Sequence, residues 1–129
     1  MRPDDTLRQL EIRTRALPLA LRCLARRPGG LEEAMDRGDD LLAELDVLLT
    51  LCVRGPRIGL SWMDTAEEAI ELKERVYGLL RPFLERMGAS ERTLLGFEGA
   101  ARRDLHHSRR RLREARTSWP TDRPVWGWA

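Results

Sequence analysis

Two adjacent histidines and two cysteines are the side chains of this 129-residue chain best suited to acid–base, nucleophilic or metal chemistry. Adjacent residues on a helix point about 100° apart, so His106 and His107 cannot easily bind one metal ion together. Arginines crowd both histidines and would repel a cation. Cys23 and Cys52 have no histidine near them in sequence that could activate a thiolate. We therefore expect solvent-facing histidines and reduced cysteine thiols buried in a core, with a disulfide between two neighbouring helices as the alternative.

Carboxylates offer no better candidate for a reactive site. Metal sites in helical bundles use Glu-x-x-His pairs together with further carboxylates that point inward. The available glutamates fall mostly off the apolar stripe of their helix; they are Glu67, Glu68, Glu71 and Glu74. The chain has no glycine-rich phosphate loop, nucleophile elbow or zinc-type cysteine spacing. We therefore expect no catalytic site, no metal site and no cofactor, and we expect that the protein is not an enzyme.

A cluster of arginines between residues 102 and 116 is the strongest candidate for charge-driven binding. Helical spacing gathers these side chains on one side of a helix, away from its apolar stripe, and such a face can bind phosphates. The possible phosphate-binding residues are Arg102, Arg103, Arg109, Arg110, Arg113 and Arg116. Single-stranded nucleic acids favour sites in which aromatic residues alternate with basic ones, because bases stack on aromatic rings. No aromatic residue is interleaved with these arginines. The opposite face has small residues rather than the bulky apolar ones that a membrane surface requires. Nucleic acid is therefore the alternative partner, and we expect no membrane association.

The formal net charge of +2 hides an uneven distribution along the chain. Residues 1–27 have a net charge of +4 and residues 28–74 a net charge of −8. The net charge is +1 over residues 75–99 and +5 over residues 100–129. In an antiparallel bundle, acidic second and third helices can lie against basic first and fourth helices. We therefore expect many arginines to be neutralised within the molecule, each exposed pair contributing about 0–1 kcal/mol.

The C-terminal segment is the most unusual part of the sequence. Three of the four tryptophans fall in the last eleven residues, and tryptophan is enriched in protein interfaces. Pro120 and Pro124 hold the segment extended, which lowers the entropic cost of docking. The segment can fold back on its own chain or bind another chain, including a second copy. The candidate protein-binding residues are Trp119, Val125, Trp126 and Trp128.

Four amphipathic helices must position these residues, because apolar side chains recur at spacings of three and four. The first stripe comprises Leu7, Leu10, Thr14, Leu17, Leu21 and Leu24. The second comprises Leu41, Leu42, Leu45, Leu48, Leu49 and Cys52. The third comprises Ala66, Ala69, Ile70, Val76, Tyr77, Leu80, Leu84 and Met87, with Lys73 as its one polar member. The fourth comprises Leu94, Phe97, Ala101, Leu105, Ser108, Leu112 and Ala115.

Prolines, glycines and short polar residues predict where these helices begin, bend and end. Pro18 predicts a kink or a break in the first helix and Pro82 a kink in the third. Gly38 can interrupt the second helix, and residues 55–64 read as a loop with Trp62 tucked into the core. The expected caps are Asp4 or Asp5, Asp39, Asp64 or Thr65, and Ser90.

No segment alternates with period two, so the predicted fold class is all-α. We expect an antiparallel bundle of about four helices over residues 1–116 and an extended, Trp- and Pro-rich C-terminal tail over residues 117–129. The longest apolar run near the N-terminus, Ala16–Leu21, is too short to span a membrane and ends at Arg22. The expected location is therefore the cytoplasm.

The layout of these helices resembles a known family. A long leucine-rich first helix precedes a second helix with the sequence Leu-Glu-Glu-Ala-Met-(x)-Arg-Gly-Asp-Asp-Leu-Leu-Ala-Glu-Leu. The fourth helix ends in Leu-Arg-Glu-Ala-Arg, with Trp119 close behind. This arrangement is similar to the small helical chaperones of flagellar type III export. The resemblance implies a helical bundle that binds an amphipathic helix of an export substrate and contacts the export ATPase machinery.

Taken together, these features predict a non-enzymatic helical bundle that binds another protein or itself, as a chaperone, adaptor or assembly subunit. We expect the contact surface to comprise the tail and the groove beside the fourth helix. The alternative is a small helical subunit of a nucleic-acid-associated complex, in which the arginines of the fourth helix contact phosphates.

Overall fold

The chain forms four α-helices. A computed structural model describes residues 2–55 and 62–122, with side chains described up to Ser118. The helices are α1 (Pro3–Leu24), α2 (Gly30–Arg54), α3 (Trp62–Arg86) and α4 (Glu91–Asp122). No strand occurs in these two ranges. The all-α fold class and the four predicted helices are therefore confirmed.

The helices α2 and α3 form the central antiparallel pair. α1 packs against both on one side, and α4 packs on the other side, mainly against α3. Within the described ranges, α1 and α4 do not contact each other. α4 packs more closely against α3 than it does against α2. A groove is therefore left between α2 and α4.

Most residues of the predicted apolar stripes are buried in the first three helices, but α2 and α3 also bury residues that the stripes missed, such as Leu72 and Phe83. α1 buries all six residues of its stripe and no others. In α2 and α3 the predicted positions are buried except Leu42, Tyr77 and Met87, which are half-buried. Trp62 is only 5% exposed, so its expected place in the core is confirmed.

The fourth helix buries its stripe only in part. Ser108, Leu112 and Ala115 are buried, all in the C-terminal half of α4. The stripe residues nearer its N-terminus, such as Leu94 and Phe97, are half-buried. The N-terminal half of α4 therefore lies less deeply against the bundle than the C-terminal half.

No break occurs at the expected positions, because α1, α2 and α3 run continuously through Pro18, Gly38 and Pro82. The kinks at the two prolines stay a prediction. Pro82 has no amide hydrogen, so the carbonyl of Gly78, four residues earlier, lacks its usual helical donor. Both residues are exposed, so water can bind that carbonyl. Gly38 is buried, and a Cβ atom there would lie 2.5 Å from Leu80 Cδ1. Glycine at this position permits close packing of α2 against α3.

Neither aspartate at the start of α1 caps that helix. α1 begins at Pro3 with Arg2 at the N-cap position, and no side chain makes a capping hydrogen bond. Asp4 instead accepts a hydrogen bond from Thr65 Oγ1 at 2.8 Å. The expected cap is thus a tertiary contact between α1 and α3.

The other expected caps have mixed outcomes. Asp39 lies in the middle of α2, and α3 begins at Trp62, before both residues proposed as its cap. Ser90 does cap α4, because its Oγ accepts a hydrogen bond from the backbone amide of Thr93 at 3.1 Å. The tight turn before it depends on Gly88, whose φ is 86° and which any other residue would adopt only with strain.

The C-terminal end of α4 lies further along the chain than expected. α4 continues to Asp122, so residues 117–122, which we assigned to the extended tail, are helical. Thr117 Oγ1 donates to the carbonyl of Arg113 at 2.9 Å. Pro120 removes only the amide that would bond to the carbonyl of Arg116, four residues earlier. Residues 123–129 lie outside the described residues, so an extended tail beyond α4 stays a prediction.

The four helices also differ from membrane spans. In the part of the chain that the structure describes, none is both long enough and apolar enough to cross a bilayer.

Candidate functional site

The histidines and cysteines are placed apart from one another. His106 and His107 are both exposed on α4, as expected. Among residues 2–55 and 62–118, no three histidine, cysteine, aspartate or glutamate side chains are grouped to hold a metal ion. Cys52 is buried but Cys23 is exposed, which corrects the expectation of two core thiols. Cys23 lies near the end of α1, on the face of that helix that is exposed to solvent.

The two thiols cannot form a disulfide with each other. Cys23 lies beside the start of the antiparallel helix α2, whereas Cys52 lies near its end. The rise of an α-helix puts about 30 Å between them, far beyond the reach of a disulfide. Burial, and secondarily the charge of Asp4, raises the pKa of Cys52 to about 11. Cys52 is therefore a neutral core thiol near pH 7 and a poor nucleophile.

The most concentrated polar chemistry surrounds Lys73, the only lysine of the chain. Its side chain is 1% exposed. The ammonium Nζ donates to Asp104 Oδ1 at 2.9 Å and to Asp46 Oδ1 at 3.1 Å. It also donates to Ser108 Oγ at 2.9 Å. The one polar member of the α3 stripe and the one hydroxyl of the α4 stripe are thus partners.

Two further side chains complete this cluster. Tyr77 Oη donates to Asp104 Oδ2 at 2.6 Å. Burial, followed by the hydrogen bond to Asp104 and its charge, raises the pKa of Tyr77 above its ordinary value of 10.0. Arg111 donates to Asp46 Oδ1 at 3.2 Å and to the hydroxyl of Thr50. The cluster therefore links α2, α3 and α4.

The ammonium at the centre of this cluster does not offer a binding site. All three donors of the Lys73 ammonium are used, and the group is closed to solvent, so neither a ligand nor a substrate can reach it. Its role is to connect helices. In the sequence, this cluster is indicated only by the lysine and the serine that interrupt apolar stripes. Nothing in the sequence pattern marks Asp46 and Asp104 as their partners.

The arginine cluster of α4 lies partly against acidic residues of the same molecule. Arg109 pairs with Glu74, and Arg116 pairs with Glu67, both across the α3–α4 contact. Arg110 pairs with Glu114 on its own helix at 3.0 Å. The remaining three predicted phosphate-binding residues are exposed and have no acidic partner among the described residues; they are Arg102, Arg103 and Arg113.

Most of the predicted protein-binding residues of the tail lie outside the described residues. The backbone of Trp119 belongs to α4, but its side chain lies outside the described residues. Val125, Trp126 and Trp128 lie outside them entirely. Their role therefore stays a prediction.

An open groove of about 620 Å³ lies between α2 and α4, and we name it the α2–α4 groove. Its apolar lining comes from three helices and comprises Leu31 and Met35 of α2, Leu84 of α3 and Phe97 of α4. Its remaining lining is polar and comprises Glu32, Asp36 and Thr93. It lies beside the fourth helix, where the sequence predicted a contact surface.

Packing holds the apolar lining in place. The ring of Phe97 meets that of Tyr77 edge to face, with 5.8 Å between the ring centroids and 67° between the planes. Tyr77 is itself fixed by its hydrogen bond to Asp104, so the buried cluster supports one wall of the groove. Leu31 and Met35 are half-buried and pack against the core. The groove is thus preformed and keeps apolar surface in contact with water.

The rim gives the groove a negative character. Glu32 and Asp36 are exposed, and neither pairs with a basic side chain among the described residues. An apolar floor beside free carboxylates suits an apolar segment that carries a positive charge. Sequence reasoning included Phe97 in a stripe but missed Leu31 and Met35. Their spacing of four, continued at Leu42, is a second stripe on α2 that was available as a signal.

Comparisons with known proteins add no family assignment to this geometry. No family model, no curated protein and no solved structure matches the chain.

Proposed function

We propose that this protein is a non-enzymatic, protein-binding helical bundle that acts as a chaperone, adaptor or assembly subunit. The observation that carries the proposal is the α2–α4 groove, where three helices contribute apolar side chains that no described residue covers. Interface cores are apolar and enriched in methionine and aromatic residues, and interface rims are polar. Met35 and Phe97 with Glu32 and Asp36 have this arrangement.

The physical character of the groove indicates the kind of segment that it takes. Methionine adapts its shape to different apolar partners, and Phe97 provides a fixed aromatic wall. The helix layout that resembles flagellar export chaperones supports a ligand of this kind, because such chaperones bind an amphipathic helix. The export substrate itself is one form of the proposal, and an assembly partner is another.

Protein binding is favoured over phosphate binding by the pairing of the α4 arginines. Three of the six candidate arginines already pair with glutamates of the same chain. Each such pair lowers the positive potential available to a phosphate backbone. The groove, in contrast, has apolar surface and carboxylates without such partners.

Site-specific photo-crosslinking in the native host tests the proposal. A compact aliphatic diazirine residue, no larger than leucine, at Thr93, which lines the groove, is compared with the same residue at Arg92, which is exposed but does not line it. We expect discrete protein adducts from position 93 that are absent from position 92. The variant Met35→Glu should remove these adducts while its thermal unfolding remains cooperative. Equal adducts from both positions, or adducts insensitive to Met35→Glu, would overturn the proposal.

A further inference from the structure

We infer that the α2–α4 groove receives residues 123–129 of a second copy of this chain. This inference rests on the proposed function and names its partner. The occupant is a segment rich in tryptophan, and the contact is between two molecules rather than within one.

Residues 123–129 cannot reach the groove of their own chain. Phe97, in the groove, precedes the last residue of α4, Asp122, by 25 residues. At 1.5 Å per residue this separation is about 37 Å along the helix. The seven residues from 123 to 129 span at most about 25 Å when fully extended. The segment therefore falls short of the groove of its own chain, but it can enter the groove of another copy.

The chemistry of the segment complements that of the groove. Residues 123–129 include Val125, Trp126 and Trp128 for the apolar floor. Arg123 is the only charged side chain among them, and it matches the carboxylates of Glu32 and Asp36. Tryptophan in an apolar pocket provides much of the binding energy in many interfaces.

A second pocket, near the end of α4, is a poorer match for the same segment. It lies between α2 and α4, has a volume of about 310 Å³ and is lined in part by Val53 and Ser118. Arg54, Arg111 and Glu114 also line it, so its lining has a net positive charge, which opposes that of Arg123. Docking on the same chain would thus bury two tryptophans in a smaller and more basic space.

The contact joins different surfaces of the two molecules. Such a heterologous contact closes into a dimer only if each copy accepts the segment of the other, and otherwise it extends into longer assemblies. In either case, one copy with a blocked groove and one copy without the tryptophans should form a single contact.

The experiment measures mass by sedimentation or light scattering over a concentration series of full-length protein. Trp126→Ala with Trp128→Ala removes the apolar segment, and Thr93→Tyr fills the groove. Arg92→Tyr is the matched control, since it adds the same side chain at the adjacent exposed position. We expect the parent and the control to associate, and each test variant to associate at least tenfold more weakly. An equimolar mixture of the two test variants should form a one-to-one dimer.

Three results would overturn the inference: a parent chain that stays monomeric, test variants that associate as the parent does, or a mixture that stays monomeric. Docking on the same chain would give the first result. The proposed function has a separate readout. If photo-crosslinks from position 93 to other proteins persist in the double tryptophan variant, the groove binds a different partner, and only the inference about the second copy fails.

Discussion

Lys73 connects three helices through an ammonium group that is buried away from water. Its ammonium is closed to solvent, whereas the carboxylates of Asp46 and Asp104 keep part of their surface in water. A buried ion pair contributes little net stability, but a buried charge left without a partner is strongly destabilising. The two sides of this cluster should therefore respond differently to mutation.

Asp104→Ala should destabilise the fold more than Lys73→Met. The first substitution leaves a buried ammonium with one carboxylate fewer and also removes the acceptor of the Tyr77 hydroxyl, with an expected loss of about 3 kcal/mol. The second substitution leaves carboxylates that water can reach, and methionine fills the space of the lysine stem, so we expect less than half of that loss. Urea denaturation measures both values, with Glu114→Ala as the exposed control. The opposite order would contradict this account.

The two cysteines should differ sharply in reactivity. Cys23 is exposed, while Cys52 is buried and its pKa is raised to about 11. Because thiolates are the reactive species, a disulfide reagent at pH 8 should modify one thiol in the native protein and two in denaturant. The variant Cys23→Ser should show no rapid modification in the native state. Rapid modification of both thiols would show that Cys52 is accessible.

The pairing of α2 with α3 depends on a small residue at the helix crossing. Gly38 lies against Leu80, which is 1% exposed and has little room to move. Gly78, on the exposed side of α3, would place a Cβ atom in open space. The two glycines therefore have opposite relations to their surroundings although both lie within helices.

Gly38→Ala and Gly78→Ala should change stability in opposite directions. At Gly78, alanine should stabilise the helix by about 0.5–1 kcal/mol because it loses less entropy on folding. At Gly38 the same gain is outweighed by overpacking, which typically costs about 1–3 kcal/mol. Thermal or chemical unfolding measures both effects. Adding Leu80→Val to Gly38→Ala should give a combined loss smaller than the sum of the single losses, and strict additivity would argue against the contact.

Helix existence was predictable from the sequence, but several helix ends were not. The spacing of Leu7, Leu10 and their successors predicts the buried face of α1 without error, because one helical face must be apolar. The ends of α3 and α4 depend on weaker preferences. Trp62 extends α3 toward the N-terminus because its ring is buried, and the side chains of Thr117 and Ser118 bond to carbonyls of the preceding turn. Tertiary packing and local hydrogen bonds decide such boundaries.

At the scale of the whole molecule, charge complementarity is arranged around the central α2–α3 pair. Arg13 of α1 pairs with Glu44 of α2 at 2.6 Å. On the opposite side, Arg111 of α4 pairs with Asp46 of α2 at 3.2 Å. The basic ends of the sequence thus lie against its acidic middle, as expected. Since most of these pairs are exposed, their individual contributions are small, and the apolar core determines stability.

Stability should fall in alkaline solution because neutral acids are buried in the fold. Cys52 loses its proton above its ordinary pKa of 9.0 in the unfolded chain but only near 11 in the native state. The unfolded state therefore releases protons first, and the stabilisation present below pH 9 is lost between pH 9 and 11. Tyr77, whose pKa is also raised, extends the effect to higher pH. Each group contributes at most about 1.4 kcal/mol per pH unit.

Unfolding free energies measured between pH 8 and 11 test this expectation. The variant Cys52→Ala should show a shallower decline above pH 9 than the parent, whatever its stability at pH 8. A parent whose stability is constant over this interval, or a Cys52→Ala variant with an unchanged slope, would contradict the assigned burial.

The sequence by itself determined the fold class, the four helices and the buried face of α1, because helical periodicity is a local property of the chain. It also marked Lys73 and Ser108 as polar residues in apolar stripes. Only the tertiary structure paired them with each other and with Asp104, since no local pattern records which helices meet. The same holds for the α2–α4 groove, which exists because α4 packs closely on α3 and less closely on α2. Contacts between distant residues, rather than spacing, decide where apolar surface stays uncovered.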